Sequence, residues 1–415
     1  MSHVQTPVRR PRPEWTKSVR AALIASVVVS IILLAFAWPT VTSKVQDLPV
    51  AVVGSQEQID SLTDKMPDDN PLALHPVANR QDAENGIRSR EVYGAILLGD
   101  QPEILTASAG SPVASQMLTS IGTTMQRGID QQVISKQTEA LQQMKSAMAQ
   151  GPSGMAAMAQ QAQKSGQGGQ QAATPPTVKI TDVVPLSGDD PRGAGLAIAG
   201  LPLTMGGMIG GVLISLLVNG PRKHLLAIVL YGIIGGLALA CLMQGLFHIL
   251  QGNFFANAGA IGLGIAATAS VIVGLNALIG RPGIGVGAVI TMFIGNPLSS
   301  LTQPKEFIAP PFGEIGQWLV PGLSGTVLRD LSYFPDANVS GQIWALIGWL
   351  AAGVVLVLSG HYRNQAALPG NGRGGDADGA QTTGGSSTAG AHHTVTTGEG
   401  THRAASQATT GTASA

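Results

Sequence analysis

The chain has 415 residues and carries 24 acidic and 24 basic side chains, so its formal net charge is zero at neutral pH. Without a basic field nothing attracts nucleic acid, and no nucleic-acid partner is predicted. Charged residues make up only 12% of the chain and apolar residues 44%, a balance that favours a protein dissolved in the lipid bilayer. The single cysteine, Cys241, excludes an intrachain disulfide and a cysteine-based metal site.

The amino-terminal segment combines a basic start with an apolar run. Residues 1–20 are polar and basic, and residues 21–39 carry no charge and end at Trp38 and Pro39. This order is also typical of a signal peptide. Because the apolar run is longer than a usual signal core and no A-x-A-like site follows it, we interpret 21–39 as an uncleaved transmembrane helix. The positive-inside rule then predicts residues 1–20 in the cytoplasm.

Residues 40–192 are expected on the far side of the membrane, and short β-branched runs alternate there with helical patterns. Such alternation is typical of a small α/β layer. The predicted strands are 48–53, 72–77, 93–98 and 178–184, the predicted short helices are 56–66 and 79–90, and 103–107 is a further predicted element. The sequence therefore predicts an extracytoplasmic α/β domain inserted between transmembrane helices 1 and 2.

A long helix is predicted within this domain, from about 112 to 149. Pro112 suits the first turn of a helix, and apolar residues follow it at a spacing of four. At 1.5 Å per residue the helix would reach roughly 55 Å. We expect it either to stand off the membrane as a stalk or to pack on a partner chain. The Gln-, Gly- and Ala-rich segment 150–176 is predicted to be flexible.

The block 193–302 is apolar throughout, and its only charged residues are Arg222, Lys223 and Arg281. A helix in water needs a polar face, and these segments have none, so lipid must surround them. The basic residues divide the block into lengths that suit a hydrocarbon layer about 30 Å thick. The predicted transmembrane helices 2 to 5 cover 194–218, 225–250, 257–280 and 284–302.

The carboxyl-terminal part adds one more crossing. Residues 303–341 are apolar but broken by proline, so this extracytoplasmic loop is predicted to lie in the interface or to re-enter the membrane. Residues 342–362 are the predicted sixth transmembrane helix, and 363–415 a disordered cytoplasmic tail. The predicted fold class is an α-helical polytopic protein of the cell membrane, with six transmembrane helices and both termini in the cytoplasm.

Polar side chains in the predicted spans are candidates for a transport pathway. By these boundaries no span contains Asp, Glu, Lys or Arg, so a carboxylate relay that energises transport is not expected. We single out Gln244, His248 and Asn276 as candidate pathway-lining residues. The alternative for each of them is an interhelical hydrogen bond.

Glycines recur at four-residue spacing in two of the predicted helices. Small residues at this spacing let helix backbones approach closely, and a hinge is the alternative interpretation. The candidate helix-packing positions are Gly206, Gly207, Gly210, Gly211, Gly232 and Gly236. Two such pairs side by side make helix 2 the expected place of tightest packing, within the chain or between chains.

No catalytic or nucleotide-binding signature occurs in the chain. The patterns G-x-x-x-x-G-K-[ST], G-x-S-x-G and H-E-x-x-H are all absent. Asp189 and Asp190 beside Arg192 would suit a metal, but acids near a helix amino terminus explain them better. The sequence therefore predicts no catalytic residue, no cofactor and no metal site, and the chain is not expected to be an enzyme.

One helix, a large outer domain and then five helices resemble the ABC-2 type permease superfamily, and more narrowly its phage-infection-protein branch as found in actinobacteria. The segments that carry the resemblance are 48–53, 90–98, 183–193, 295–299 and 318–334, and it covers about 15–362. It implies an exporter-like membrane component, commonly paired as a dimer and often served by a separate ATPase. The segment that meets this ATPase in many members corresponds here to the very short stretch 219–224.

The combined prediction is a permease that exports an amphipathic or lipid-like envelope molecule or a drug, as a homodimer, with or without a separate ATPase subunit. The outer domain would receive or pass on the cargo, and helices 2 and 5 with the loop 303–341 would form the exit. The alternative is a cell-surface receptor or envelope scaffold that transports nothing, which the resemblance also permits. Five glycine-rich helices beyond a single anchor favour the permease.

Overall fold

The structure, a computed structural model, describes residues 15–64, 66, 70–156 and 175–366. The basic segment 1–20 is therefore described only from Trp15 onward, and the predicted flexible segment 150–176 only at its two ends. The predicted tail 363–415 lies outside the described residues from position 367 onward.

A five-stranded sheet follows the first helix, α1 (Trp15–Val41). Its strands are β1 (Leu48–Val53), β2 (Leu72–Pro76), β3 (Gly94–Leu97), β4 (Glu103–Thr106) and β5 (Lys179–Asp182). Their order across the sheet is β2-β1-β3-β4-β5, and all neighbours are parallel except β3 and β4. Four strands fall within runs that the sequence predicts to be strands, and β4 lies in the run 103–107, which is predicted as an element without a type.

Three helices accompany the sheet: α2 (Gln56–Asp64), α3 (Arg80–Arg88) and α4 (Pro112–Ala149). The side chain of Asn79 begins α3 by accepting a hydrogen bond from the Asp82 backbone N–H at 2.9 Å. Ser111 begins α4 in the same way, at 3.2 Å from the Ala114 nitrogen, and Pro112 occupies the first turn. The bounds of α4 are those that the sequence predicts.

The two faces of the sheet are buried in separate cores. Ala95 and Leu97 of β3 lie with Ile87 of α3 on one face, whereas Ile96 lies with Leu118 of α4 on the other. Successive side chains of a strand point to opposite faces. Because helices cover the sheet on both sides, β3 is apolar at consecutive positions rather than at alternate ones.

The chain after the sheet is helical. Its helices are α5 (Ala194–Leu217), α6 (Pro221–Ala240), α7 (Phe254–Ile279), α8 (Arg281–Ala288), α9 (Gly295–Leu298), α10 (Phe312–Trp318), α11 (Val320–Tyr333) and α12 (Ser340–Ala366). A π-helical turn, Cys241–Leu246, continues α6. Five described helices, α1, α5, α6, α7 and α12, are long and apolar enough to cross a membrane. The chain is therefore a helical, multi-pass membrane protein.

The predicted transmembrane helix 284–302 is not among these five. The chain there forms α8, a π-helical turn at Val289–Ile294, and α9. This run is glycine-rich at its start and ends near Pro297, and glycine and proline are the weakest helix formers. At about 1.5 Å per residue it reaches roughly 27 Å, less than a hydrocarbon layer about 30 Å thick. The structure thus shows five candidate spans where the sequence predicts six.

Two other helix boundaries differ from the prediction for local reasons. α6 begins at Pro221, which suits a first turn, so Arg222 and Lys223 lie inside the helix rather than before it. α7 begins at Phe254 because Asn253 caps it, accepting a hydrogen bond from the Ala256 nitrogen at 3.0 Å.

Helices α5, α7 and α12 run in the same direction, and α6 runs against them. The residue numbers of positions that face each other across helix contacts show this. Along the contact both numbers increase together for parallel helices, whereas one increases and the other decreases for antiparallel helices. Against α7 the facing pairs are Gly207–Thr268 and Gly211–Ile272 for α5, Gly232–Ala266 and Gly236–Gly262 for α6, and Gly353–Ser270 and Gly360–Ala277 for α12. The bundle is thus built around α7, whose side chains are mostly buried.

α10 and α11 form a helical hairpin, here called the hairpin (residues 305–334), in the segment predicted to be interfacial or re-entrant. Leu319 is extended between the two helices, and Pro321 follows in the first turn of α11. Gly322 lies against the Gly316 carbonyl at this turn, where a Cβ would collide with it. α11 is buried along most of its length against α7 and α12.

Candidate functional site

The hairpin is fastened to both faces of the sheet. Phe307, before α10, lies in the core that contains Ile96, and Phe334, after α11, lies in the core that contains Ile87. Both rings are buried, with exposed fractions of 6% and 2%. A displacement of the sheet would therefore carry the hairpin with it, including the part of α11 that packs in the helix bundle.

A polar cavity of about 500 Å³ lies between the hairpin and the sheet with its helices, here called the sheet region (residues 48–149 and 179–182). This volume is within the range of sites for small ligands, or for the head of a larger one. Its charged and aromatic wall residues are Arg90, Glu91, Tyr93, Lys305, Glu306, Glu314, Trp318, Arg329 and Asp330. The wall carries charges of both signs, and both regions contribute them.

Arg90 and Asp330 form an ion pair between the sheet region and α11. Arg90 has a left-handed backbone with φ of 62°, and its guanidinium carbon lies 5.4 Å from the centre of the Phe334 ring. Burial raises the pKa of Asp330, and the charge of Arg90 opposes that rise. Removal of either partner would leave the other charge buried without compensation.

Tyr93 makes a second polar contact between the two regions. Its hydroxyl donates a hydrogen bond to Glu306 Oε2 at 3.0 Å. Burial raises the pKa of the Tyr93 hydroxyl, and the negative charge of Glu306 raises it further. Tyr93 therefore keeps its proton at neutral pH and acts as a hydrogen-bond donor.

Arg329 lines the cavity from α11, and its guanidinium donates a hydrogen bond to the Leu301 carbonyl at 2.8 Å. In the part of the chain that the structure describes, it makes no ion pair, unlike Arg90. Burial lowers the pKa of Arg329 to about 10, and the nearby positive charge of Arg90 lowers it as well. Arg329 is thus a charged group at neutral pH that makes no ion pair among the described residues, although the charge of the adjacent Asp330 acts on it.

Leu301 separates the polar cavity from an apolar crevice. Its carbonyl accepts the hydrogen bond of Arg329, whereas its side chain lies between Gly200 of α5 and Gly325 of α11. The crevice leaves about 30 Å³ free and is lined by α5, α7 and α11. Ser300 lines the polar cavity and the next residue, Leu301, lines the crevice, so consecutive residues border a polar space and an apolar one.

The structure separates the predicted pathway residues Gln244, His248 and Asn276. Gln244 lies in the π-helical turn after α6 and donates a hydrogen bond to the Gly252 carbonyl at 2.9 Å. His248 lies beyond the helix, in a left-handed backbone conformation with φ of 51°, because helical geometry ends at Leu246 rather than at 250. Asn276 lies near the carboxyl-terminal end of α7. None of the three is among the described residues that line the polar cavity.

Asn257 is a buried polar residue that sequence reasoning missed. Its side-chain nitrogen donates to Gln244 Oε1 at 2.9 Å and to the Gln251 carbonyl at 2.8 Å, and Ser332 donates to its Oδ1 at 3.3 Å. Asn257 therefore connects α6, α7 and the hairpin. The predicted helix start at 257 made it a terminal residue, whereas recognising Asn253 as the cap would have placed it inside the first turn.

The four predicted packing glycines of α5 lie against neighbouring helices: Gly206, Gly207, Gly210 and Gly211. An added Cβ at Gly207 would lie 2.7 Å from Thr268 Cβ of α7. Gly210 faces the ring of Tyr231, whose hydroxyl donates a hydrogen bond to the Gly206 carbonyl at 2.5 Å. These contacts lie within the chain, so α5 packs on both α6 and α7 through its glycines.

The two predicted glycines of α6 face a glycine of α7. An added Cβ at Gly232 would lie 3.1 Å from the Gly262 oxygen, and one at Gly236 would lie 2.8 Å from Gly262 Cα. The backbones of α6 and α7 therefore nearly touch here. This geometry agrees with the packing interpretation and needs no hinge.

Asp190 stabilises the amino-terminal end of α5. Its carboxylate accepts hydrogen bonds from the backbone nitrogens of Ala194 at 3.0 Å and Gly195 at 2.7 Å. An acid at a helix amino terminus is stabilised by the unpaired N–H groups there, as the sequence favoured. Among the described residues, no three His, Cys, Asp or Glu side chains are grouped as a metal site would require.

The sequence did not single out the residues of the polar cavity. Arg90 and Asp330 are 240 positions apart, so no local pattern joins them. A usable signal was the adjacent pair Arg329 and Asp330, which interrupts an otherwise apolar stretch from Val320 to Phe334. Charges in such a position have to be paired or functional.

Compared with protein-family models, with curated proteins and with solved structures, the chain matches none of them. No family is therefore assigned, and the resemblance to the ABC-2 type permeases stays a prediction. The function has to be inferred from the polar cavity, the apolar crevice and the helices around them.

Proposed function

We propose that the chain is a permease that exports an amphipathic or lipid-like envelope molecule, or a drug of that character. The observation that carries this proposal is a polar cavity beside an apolar crevice, lined by the consecutive residues Ser300 and Leu301 respectively. A polar head would occupy the cavity, and an apolar chain would extend along α5, α7 and α11.

The proposal places the sheet region outside the cell and both termini in the cytoplasm, in the cell membrane. α1 leads into β1, and α5 begins soon after β5, so the sheet lies at one end of the bundle. Arg222 and Lys223 lie at the other end, which the positive-inside rule assigns to the cytoplasm. With the short run Arg281–Leu298 counted as a crossing, the chain would pass the membrane six times.

Through the hairpin, a movement of the outer domain would be transmitted to the apolar crevice. Phe307 and Phe334 hold the hairpin to the sheet, and α11 packs between α7 and α12. A shift of the outer domain would move α11 relative to α5 and widen the crevice around Leu301. Loading of the cavity would thus be coupled to opening of the apolar path.

Transport is tested by comparing the cellular accumulation of fluorescent lipids and amphipathic dyes in deletion cells and in cells that carry the full chain. We expect the chain to lower accumulation of at least one probe. Phe334→Ala should abolish this effect because it frees one end of the hairpin, and membrane abundance is measured alongside. Phe255→Ala is the matched control, since Phe255 is 75% exposed and lies outside the cavity.

The alternative is a receptor or envelope scaffold that transports nothing. It would be supported if all probes accumulated equally in deletion and complemented cells while the protein was present in the membrane. Loss of transport in Phe255→Ala but not in Phe334→Ala would contradict the role given to the hairpin.

The proposal includes a homodimer that forms along α4. Ile134, Leu141 and Met148 are 61%, 54% and 58% exposed, and they recur at intervals of seven residues. A seven-residue apolar repeat is the pattern through which two helices pack on each other. We expect the detergent-solubilised chain to have the mass of two copies by light scattering, and Leu141→Lys to give one copy. A single copy in the wild type would contradict this pairing.

The energy for export would come through the permease alone or from a separate ATPase subunit. The turn between α5 and α6 is the contact that such a subunit would have to use, and it is only a few residues long. Copurification of an ATPase from native membranes would decide between these two arrangements.

A further inference from the structure

Two ion pairs lie in the wall of the polar cavity, and three wall charges, Glu91, Glu306 and Arg329, take part in no ion pair of the described residues. Arg90 pairs with Asp330, and Lys305 pairs with Glu314 at 2.8 Å. Arg329 has only the Leu301 carbonyl as a hydrogen-bond acceptor among the contacts that the structure describes. A guanidinium has five N–H donors, so most of the hydrogen-bonding capacity of Arg329 is unused.

A second unsatisfied group lines the same cavity next to this carbonyl. The hydroxyl of Ser300 is buried and has no hydrogen-bond partner among the described residues. Ser300 precedes Leu301 and has a left-handed backbone with φ of 56°. A buried hydroxyl without a partner costs free energy unless a ligand or water satisfies it. Ser300 and Arg329 therefore both have unused donors, and Leu301 links them, since it follows Ser300 and its carbonyl accepts from Arg329.

We propose that Arg329 and Ser300 bind the phosphate group of an anionic amphipathic ligand. The guanidinium matches two oxygens of a phosphate at once, and the hydroxyl donates to a third. Phosphate fits because it supplies three acceptor oxygens for unused donors and a negative charge beside a guanidinium that makes no ion pair among the described residues. This inference rests on the proposed function, since it names the head group of the exported molecule.

Leu301 fixes the orientation of such a ligand. Its carbonyl holds the Arg329 guanidinium on the cavity side, and its side chain faces the crevice. A phosphate bound to Arg329 would therefore lie across Leu301 from the apolar space between α5 and α11. An acyl chain attached to that phosphate would enter this crevice past the Leu301 side chain.

Glu306 opposes the phosphate. Its carboxylate lines the cavity and is held by the Tyr93 hydroxyl, so it stays on the wall. Because like charges repel, the negative charge of Glu306 on the same wall weakens anion binding, and its neutral form should strengthen it.

The test uses the full chain in detergent and measures affinity by titration calorimetry. The probes are inorganic phosphate, glycerol 3-phosphate, short-chain phosphatidylglycerol and, without phosphate, a short-chain diacylglycerol. We expect phosphatidylglycerol to bind at least tenfold more tightly than the diacylglycerol. Arg329→Gln should weaken its binding about tenfold or more, Ser300→Ala several-fold, and Glu306→Gln should tighten it. Arg88→Gln, an exposed arginine outside the cavity, should change nothing.

The probes distinguish the source of the phosphate. Tight binding of phosphatidylglycerol alone identifies a lipid head group, whereas equal affinity for inorganic phosphate identifies a soluble phosphate and overturns the amphipathic ligand. Unchanged affinity in Arg329→Gln would overturn the site itself. Circular dichroism and thermal melting check that each variant is folded, and Arg329→Lys, which keeps the charge, should recover part of the affinity.

Transport measurements separate this inference from the proposed function. If Arg329-dependent binding is found but the wild type moves no phospholipid in cells or vesicles, the site stands and the permease proposal fails. If the wild type exports a probe while Arg329→Gln binds and exports it equally well, the permease stands and the phosphate site fails.

Discussion

The sheet region and the helix bundle bury opposite kinds of side chain. In the sheet region the most buried residues are large and aliphatic, such as Ile96, Ile104 and Leu118. In the bundle the closest contacts are made by glycine and other small residues, and large aliphatic side chains such as Ile234 point outward. The difference follows from the surroundings, because water expels large apolar groups and lipid does not.

This contrast shows what holds each region together. The sheet region gains its free energy from apolar area removed from water. The bundle gains little from that source, since lipid tails are as apolar as the side chains, and it depends on dense van der Waals contact between close backbones. A substitution should therefore have different effects in the two regions even when the residue types are similar.

The largest effect is expected from Gly262→Val on α7. An added Cβ at Gly262 would lie 2.5 Å from the Gly232 oxygen, and a backbone atom cannot move aside as a side chain would. We expect a loss of about 3 kcal/mol or failure to yield monodisperse protein in detergent. The measurement is the thermal midpoint followed by size-exclusion chromatography. Gly259→Val is the control, because Gly259 on the same helix faces open space and should tolerate the side chain.

A large loss of stability is also expected in the sheet, where a buried side chain is removed rather than added. Ile96→Ala removes a fully buried side chain from the core between the sheet and α4, and it should cost about 3 kcal/mol. Hydrogen exchange of the sheet amides measures the local loss of stability. If Ile96→Ala cost as little stability as a substitution on the lipid-facing surface, the conclusion that burial from water stabilises the sheet core would be wrong.

The regular elements could be predicted from the sequence, but the cavity could not. Strand runs and α4 follow local patterns, and Pro112 fixes where α4 begins. α11 was missed because Pro321 was interpreted as a break, whereas it lies in the first turn of that helix, where proline is tolerated. The meeting of Arg90 with Asp330 depends on how the hairpin folds back on the sheet, and no local pattern contains that information.

A smaller effect is expected from the ion pairs at the edge of the sheet. Arg80 Nε donates to Glu103 Oε2 at 3.0 Å, and Thr181 donates to Oε1 at 2.6 Å. The hydrogen bond from Arg80 lowers the pKa of Glu103 to about 2. Because Arg80 is partly exposed, we expect Glu103→Gln to cost about 1 to 2 kcal/mol at neutral pH.

The pH dependence of this cost has a definite sign. The folded-state pKa of Glu103 is below its ordinary value of 4.5, so the carboxylate stabilises the fold above that pH. As the pH falls from about 4.5 towards 2, both states become protonated and the stabilisation is lost. Thermal midpoints of wild type and Glu103→Gln should therefore converge in this range. The control is Glu139→Gln, an exposed position within α4 that takes part in no ion pair of the described residues.

The smallest effect separates lipid-facing from packed residues on one helix. Ile234 and Ile228 both belong to α6, but Ile234 is 64% exposed and Ile228 only 1%. Ile234→Ala exchanges one apolar surface for another against lipid and should change stability by less than about 0.5 kcal/mol. Ile228→Ala removes packing contacts with α7 that lipid cannot restore, and should cost roughly 1 to 2 kcal/mol. Equal costs, measured by unfolding in mixed micelles, would mean that Ile234 packs against protein rather than lipid.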